Sequence, residues 1–175
     1  EINQSDISLV TVYSTYSSVN GIFIRPVNFR NYAFLADGAN GMQIVDVTQV
    51  NLPDSVTSFD TDGSATDVTL AVINGKLYAF ISDYGIGCVI VDVSDPGNPQ
   101  FTALLSNSTQ HVITSCVDAN NKILYLGSDE GWINVIDISP LPSPPIQRLF
   151  FGTTNERING LYLSDSSLYC AYGNT

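Results

Sequence analysis

The hydrophobic residues of this chain occur in short runs separated by turn sequences. The clearest set of runs occupies residues 67–73, 76–82, 88–93 and 100–105. The first two runs are joined by Asn74-Gly75, a dipeptide that accepts positive φ and predicts a tight β-hairpin. The first three runs indicate strands buried on both faces, whereas the shorter, more polar fourth run indicates an edge strand. No segment has an apolar period of about 3.6 residues over roughly ten or more residues, so we expect essentially no helix.

The same set of runs recurs along the chain with a period of about 45 residues. The second strand of each set carries a tyrosine in one register, namely Tyr32, Tyr78 and Tyr125. The third strand of each set runs into an aspartate, namely Asp46, Asp92 and Asp137. A proline precedes each fourth strand, namely Pro53, Pro99 and Pro145. Proline has no N–H to donate to a central strand, so its placement supports this strand order.

This repetition divides the chain into four-stranded units. Three full units are predicted at residues 20–60, 66–106 and 111–151, and the first half of a fourth unit at residues 157–175. Residues 8–16 alternate apolar and polar side chains, which predicts an isolated outer strand belonging to a preceding unit. The whole chain, residues 1–175, is thus interpreted as one segment of a repeat protein.

Four-stranded units of this length are typical of β-propeller blades. Within that class, the chain resembles the LVIVD-repeat family. The likeness is carried by the sequences IVDVT, VIVDVSDPGNP and VIDIS at residues 44–48, 89–99 and 135–139. The resemblance covers roughly residues 20–172 and implies an all-β fold of antiparallel blades. The Trp-Asp and Gly-His signatures of the WD40 family are missing from the sequence.

The resemblance also implies an incomplete ring, because a propeller closes with several blades and this chain holds about three plus fragments. Each blade buries its faces against its neighbours, so an open row leaves two apolar faces in water. We therefore expect further sequence or other chains to cover these faces.

Charge restricts the classes of partner. Seventeen acidic residues against six basic ones give a formal net charge of −11. Nucleic acid and anionic lipid require clustered lysine and arginine, so neither is an expected partner. No apolar run approaches the roughly 20 residues of a membrane span. The chain begins without methionine or a leader sequence, which indicates a trimmed product or a piece of a longer protein.

The cysteines have no metal-type spacing. Cys88, Cys116 and Cys170 each lie within an apolar run, where a free thiol behaves as a small hydrophobic group. An odd number of cysteines cannot pair completely within one chain. Unpaired buried thiols are favoured, and a disulfide between Cys116 and Cys170 is the alternative.

The repeated aspartates are expected to be structural. Asp46, Asp92 and Asp137 occupy one register in every unit, which favours acceptance of turn N–H groups over catalysis. The same interpretation applies to the aspartates that open glycine-containing turns, namely Asp37, Asp83 and Asp129.

Residues 60–67 form an acidic cluster whose Asp-Thr-Asp-Gly start is similar to a calcium loop. An EF-hand would need a further ligand before the glycine and a glutamate at the twelfth position, which here is Ala71. A solvated turn is favoured, and calcium binding on loop oxygens stays open. We expect no metal centre and no cofactor, since no Cys/His ligand set or phosphate loop is found.

Three residues are candidates for a ligand site. Asp67, the single histidine His111 and Arg157 stand near the predicted entrances of the innermost strands, which would gather them at one mouth of the central channel. A histidine beside an aspartate is able to transfer protons. The alternative function is therefore a ligand-binding module or an enzyme with its site at this mouth. No nucleophile accompanies these residues, so a non-enzymatic role is favoured.

Two glycosylation sequons, at Asn107 and Asn3, bear on location. Together with few lysines and many small polar residues, they favour an extracellular or cell-surface glycoprotein. The favoured function is a structural propeller module that mediates adhesion or self-assembly through blade edges and loops. Its expected partners are protein, chiefly other copies of itself, in a ring or filament.

Overall fold

The computed structural model describes residues 9–106, 111–152, 156–165 and 167–173, and every regular element among them is a β-strand. Blade 1 comprises β1 (Gly21–Val27), β2 (Arg30–Ala36), β3 (Met42–Asp46) and β4 (Asp54–Phe59). Blade 2 comprises β5 (Ala65–Ile73), β6 (Lys76–Asp83), β7 (Gly87–Asp92) and β8 (Gln100–Ser106). Blade 3 comprises β9 (Val112–Asp118), β10 (Ile123–Ser128), β11 (Trp132–Asp137) and β12 (Ile146–Gly152). Half-blade 4 comprises β13 (Ile158–Ser164) and β14 (Ser167–Tyr172).

Each blade is an antiparallel meander in which sequence neighbours are hydrogen-bonded neighbours. The predicted hairpin is confirmed, since Asn74 and Gly75 have φ of 53° and 82° and join β5 to β6. Asn28 and Phe29, with φ of 49° and 66°, form the corresponding turn of blade 1. A register shift between the third and fourth strands recurs at one place in every blade: Ile44/Val45, Ile90/Val91 and Val135/Ile136. Such bulges bend and twist the outer strand.

The core lies between blades. One apolar cluster joins the face of blade 1 that includes Phe34 to the face of blade 2 that includes Ile81. A second cluster joins the opposite face of blade 2, with Phe80, to blade 3, with Leu124. Successive strand residues point to opposite faces, so β6 and β7 must be apolar throughout to pack on both neighbours. The first strands β1, β5, β9 and β13 contact one another in that order and form the inner side of the row.

The outer strand predicted for residues 8–16 would belong to a preceding blade, and no described strand of this chain pairs with residues 9–16. Ser8 lies outside the described residues, and residues 9–16 have no strand assignment. Tyr13 instead packs against Ala33, Leu35 and Val45 of blade 1. The other large apolar residues of this segment, Leu9, Val10, Val12 and Tyr16, are exposed, so only Tyr13 contributes packing to blade 1.

No described helix is long and apolar enough to cross a membrane.

Candidate functional site

The two ends of the blade row carry the structure's unpartnered sheet surfaces. At the first end, the face of blade 1 turned away from blade 2 includes Ile22, Ala33, Leu35 and Val45, which we name the blade-1 face. These residues line an apolar cleft of about 270 Å³ together with Tyr13, Val19 and Val47. Ile22 and its strand neighbour Ile24 are 60% and 59% exposed. The segment before β1 covers only part of this face.

At the other end, half-blade 4 has two strands where the other blades have four. Among the described residues, β14 pairs only with β13, so its outer edge presents free backbone N–H and C=O groups. We name this the blade-4 edge. Tyr162, Tyr169 and Tyr172 on this hairpin are 68%, 60% and 56% exposed. Both ends therefore offer β-structure that lacks the neighbour a propeller blade normally has.

Asp67 joins two blades. Its Oδ2 accepts hydrogen bonds from the Thr114 hydroxyl at 3.1 Å and the Ser115 N–H at 2.9 Å, both on β9. Its Oδ1 accepts the Val68 N–H at 2.9 Å. Asp67 and Arg157 line one cleft of about 370 Å³ on the inner side of the row. Asp67 thus acts as a connection between blades 2 and 3, with both carboxylate oxygens engaged.

His111 has a different carboxylate partner from the expected one. Its Nδ1 lies 3.1 Å from Oδ2 of Asp129, and its ring stacks on Tyr84 with centroids 4.0 Å apart and 12° between the planes. Hydrogen bonding to the Asp129 carboxylate raises the pKa of the Tyr84 hydroxyl. His111 does not line the cleft that Asp67 and Arg157 share. Asp67 and Arg157 thus line one cleft, whereas the direct contacts of His111 are with Asp129 and Tyr84; Arg157 also lies close enough to lower the pKa of the Tyr84 hydroxyl, although the net shift is upward.

The repeated aspartates accept turn N–H groups, as predicted. Oδ1 of Asp46, Asp92 and Asp137 accepts the N–H of the residue two positions later, Thr48, Ser94 and Ser139 respectively. Oδ2 of each binds a cation, which is Arg30, Lys76 and Arg148 respectively. Sequence reasoning missed these ion pairs. The cations lie on β2 and β6 in the first two blades and on β12 in the third, so the spacing between cation and aspartate along the sequence is not the same in every blade.

Hydrogen bonds, more than the neighbouring charges, lower the pKa of all three carboxyl groups. For Asp46, the hydrogen bonds from Thr48 contribute most. Burial opposes ionisation of Asp92, but its hydrogen bonds with Lys76 and Ser94 outweigh that effect. Hydrogen bonds from Ser139 and then Arg148 lower the pKa of Asp137 to about 2. These aspartates are charged at neutral pH and tie the end of each third strand to its turn.

The acidic loop at residues 60–67 is organised around Asp83. This fully buried carboxylate accepts hydrogen bonds from the Thr61 hydroxyl at 2.6 Å, the Ser64 N–H at 3.0 Å and the Gly85 N–H at 2.8 Å. Asp60 is exposed and accepts the Asp62 N–H at 3.1 Å. Hydrogen bonds to Asp83 and Asp60 thus order this loop as a turn, and calcium binding on its oxygens stays an untested alternative.

The cysteines are free thiols in the structure. Cys88 is buried, and burial raises the pKa of its thiol. Cys116 lies on β9 and Cys170 on β14, and both are half-buried. Both thiols are free, so the alternative disulfide between them is not formed. The sequon residues Asn3 and Asn107 lie outside the described residues.

The fold class is shown by comparison with solved structures. The crystal structure of BamB from Moraxella catarrhalis, a β-propeller, is similar to this chain with a TM-score of 0.60 and 12% sequence identity. The match covers 91% of this chain and 45% of that chain, so the present chain spans less than half the length of that relative. The described part of the chain is therefore an all-β row of propeller blades, and within it the sheets do not close into a ring.

Within that class, a family model identifies the repeats of blades 1 and 2. Residues 30–61 and 62–104 match the family model described as the LVIVD repeat, so the chain carries LVIVD repeats in blades 1 and 2. The third expected copy, at residues 135–139, lies beyond the matched residues. A search of curated proteins found no match.

Proposed function

We propose that this protein is an extracellular structural module that assembles with other copies of itself through the blade-1 face and the blade-4 edge. The observation that supports the proposal is that both ends of the described blade row, the blade-1 face and the blade-4 edge, expose β-structure that no other described strand covers. Covering Ile22 and Ile24, which are 60% and 59% exposed, removes apolar surface from water and stabilises association.

The two ends differ, so association is head to tail. The blade-1 face of one copy packs on the half-blade of the next, and β14 gains a partner strand by β-augmentation. Contacts of this kind close into a ring when the rotation allows it and otherwise form a filament. The net charge of −11 makes copies repel one another at low ionic strength. Salt screens that repulsion, so assembly strengthens as salt is added.

Light scattering on the purified chain tests the assembly. We expect oligomers whose mass rises with protein concentration and with salt. Ile22→Glu places a charge on the blade-1 face and shifts the population to monomer. Phe101→Glu is the matched control, since Phe101 is 61% exposed on the outer strand β8 of blade 2. A wild-type chain that stays a stable, non-aggregating monomer under all these conditions contradicts the proposal, as does an equal response of both variants.

The extracellular location has a separate test. The sequons at Asn107 and Asn3, together with only two lysines, Lys76 and Lys122, support it. The intact mass of native material, measured before and after an N-glycosidase, reports glycan and chain length together. A loss of mass on treatment supports the location, and an unchanged mass argues against it.

A further inference from the structure

A second cluster of polar side chains lies at the loop end of blade 3, apart from the assembly surfaces. His111 directly precedes β9, and Asp129 and Glu130 form the turn between β10 and β11. One ligand atom from each of the three residues lies within 4.8 Å of the others. Zinc bonds to nitrogen and oxygen are about 2.0–2.2 Å long, so the ligand atoms of a tetrahedral zinc ion are roughly 3.3–3.6 Å apart. Small side-chain rotations therefore suffice to bring all three onto one ion.

The histidine ring is already held in place. It stacks on Tyr84 of blade 2 with ring centroids 4.0 Å apart, and its Nδ1 lies 3.1 Å from Oδ2 of Asp129. The other oxygen of that carboxylate, Oδ1, is buried and has no hydrogen-bond partner among the described residues. Leaving a buried acceptor unsatisfied is costly. A cation bound at this position satisfies it.

The other blades provide an internal comparison. Asp37 and Asp83 open the same turn in blades 1 and 2, and both are completely buried. Asp83 accepts three hydrogen bonds from its own blade and from the preceding loop. Asp37 also has an unpartnered oxygen, but it is closed to solvent.

Of the three turn aspartates, Asp37, Asp83 and Asp129, Asp129 alone belongs to a group of three possible metal ligands among the described residues. There the side chains of Asp129 and His111 are 19% and 40% exposed. An ion is therefore able to enter from solvent.

We propose that His111, Asp129 and Glu130 bind a divalent transition-metal ion of the zinc type, with water in the remaining coordination positions. One imidazole and two carboxylates suit zinc and its first-row neighbours. Calcium and magnesium prefer ligand sets made entirely of oxygen. The ion would connect the start of β9 to the turn between β10 and β11 and reinforce the loop end of blade 3.

The single histidine makes the test direct, because its imidazole protons give one set of NMR signals. We titrate the whole chain with ZnCl₂ at neutral pH and follow those signals. One equivalent of Zn²⁺ is expected to shift them to saturation, and Ca²⁺ at the same concentration to leave them in place.

Variants decide whether the carboxylates take part. Glu130→Gln and Asp129→Asn are expected to weaken Zn²⁺ binding by about tenfold or more. Asp54→Asn, which removes an exposed carboxylate from β4, is the matched control and keeps wild-type affinity. Histidine signals that titrate with pH but ignore excess Zn²⁺ overturn the proposal. So do equal affinities in all variants, which would show that Zn²⁺ binds elsewhere.

Discussion

Blades 1 and 2 share one strand pattern but differ in what covers them. Blade 2 has a neighbouring blade on each face, whereas blade 1 has blade 2 on one face and the segment containing Tyr13 on part of the other. The inner strand of blade 2, β5, is largely buried or half-buried, while every second residue of β1 is exposed. Secondary structure therefore repeats faithfully along the row, but the stabilisation that each blade gains depends on its neighbours.

A matched pair of truncations measures that difference. Ile81 of blade 2 and Leu35 of blade 1 occupy corresponding positions, and Ile81 packs against blade 1 while Leu35 lies on the blade-1 face. Large-to-alanine substitutions in cores cost about 2–5 kcal/mol, depending on how tightly the site is enclosed.

We expect Ile81→Ala to lower the free energy of unfolding by about 4 kcal/mol and Leu35→Ala by about 2 kcal/mol. Urea denaturation of both variants measures these losses. Equal losses would show that the blade-1 face is enclosed as well as the interior of the row, and would remove the basis of the comparison.

The turn aspartates give the next largest difference. Asp83→Ala leaves three donors without an acceptor, whereas Asp37 accepts a side-chain hydrogen bond from Asn40 at 3.1 Å. Each buried polar group left unpaired costs roughly 1–3 kcal/mol. The expected losses are about 3 kcal/mol for Asp83→Ala and about 1 kcal/mol for Asp37→Ala.

Chemical denaturation of the two variants side by side tests the order. If Asp37→Ala proves the more damaging, blade 1 depends on its turn more than its hydrogen bonds indicate.

Substitutions in the inner hairpins of blades 1 and 2 are expected to change stability in opposite directions. Both turns need positive φ, which Gly75 adopts easily and which Phe29 adopts at a cost. Phe29 is fully exposed, so the ring loses no packing when it is removed. A Cβ added at Gly75 would meet nothing within 4 Å, so the only penalty there is conformational.

We expect Phe29→Gly to stabilise the protein by about 0.5–1 kcal/mol and Gly75→Ala to destabilise it by about 1 kcal/mol. Thermal unfolding of each variant detects these changes as shifts in Tm of opposite sign. Shifts of the same sign contradict the conformational explanation.

The last expected difference concerns pH and the ion pair of blade 3. The folded-state pKa of Asp137 is about 2, below its unfolded value of 3.8. Its contribution to stability is therefore complete above about pH 4 and is lost as the pH falls toward 2. Between pH 5 and 2, the wild-type urea midpoint is expected to fall more steeply than that of Asp137→Asn. Asp54→Asn serves as the control, and parallel curves for all three proteins would contradict the assignment.

Local patterns made the blades predictable. The turn at Asn74-Gly75 and the proline before each fourth strand act over a few residues, so they predict the same local structure whatever packs around them. The spacing of Asp46, Asp92 and Asp137 likewise predicted their role as acceptors of turn N–H groups. The outer strand predicted for residues 8–16 needs a preceding blade as its partner, so it stays a prediction; in this chain residues 9–16 have no strand assignment and Tyr13 packs on blade 1.

The surroundings of the polar groups were decided by tertiary structure. His111 meets Asp129 and Glu130 only because β9 and β10 are paired, and Asp67 turns to Thr114 and away from the histidine. A sequence determines which residues extend and where they turn, since those preferences depend on near neighbours. Which face is buried, which carboxylate meets which cation, and which ends of the row remain open depend on contacts between distant residues, and those exist only once the blades pack.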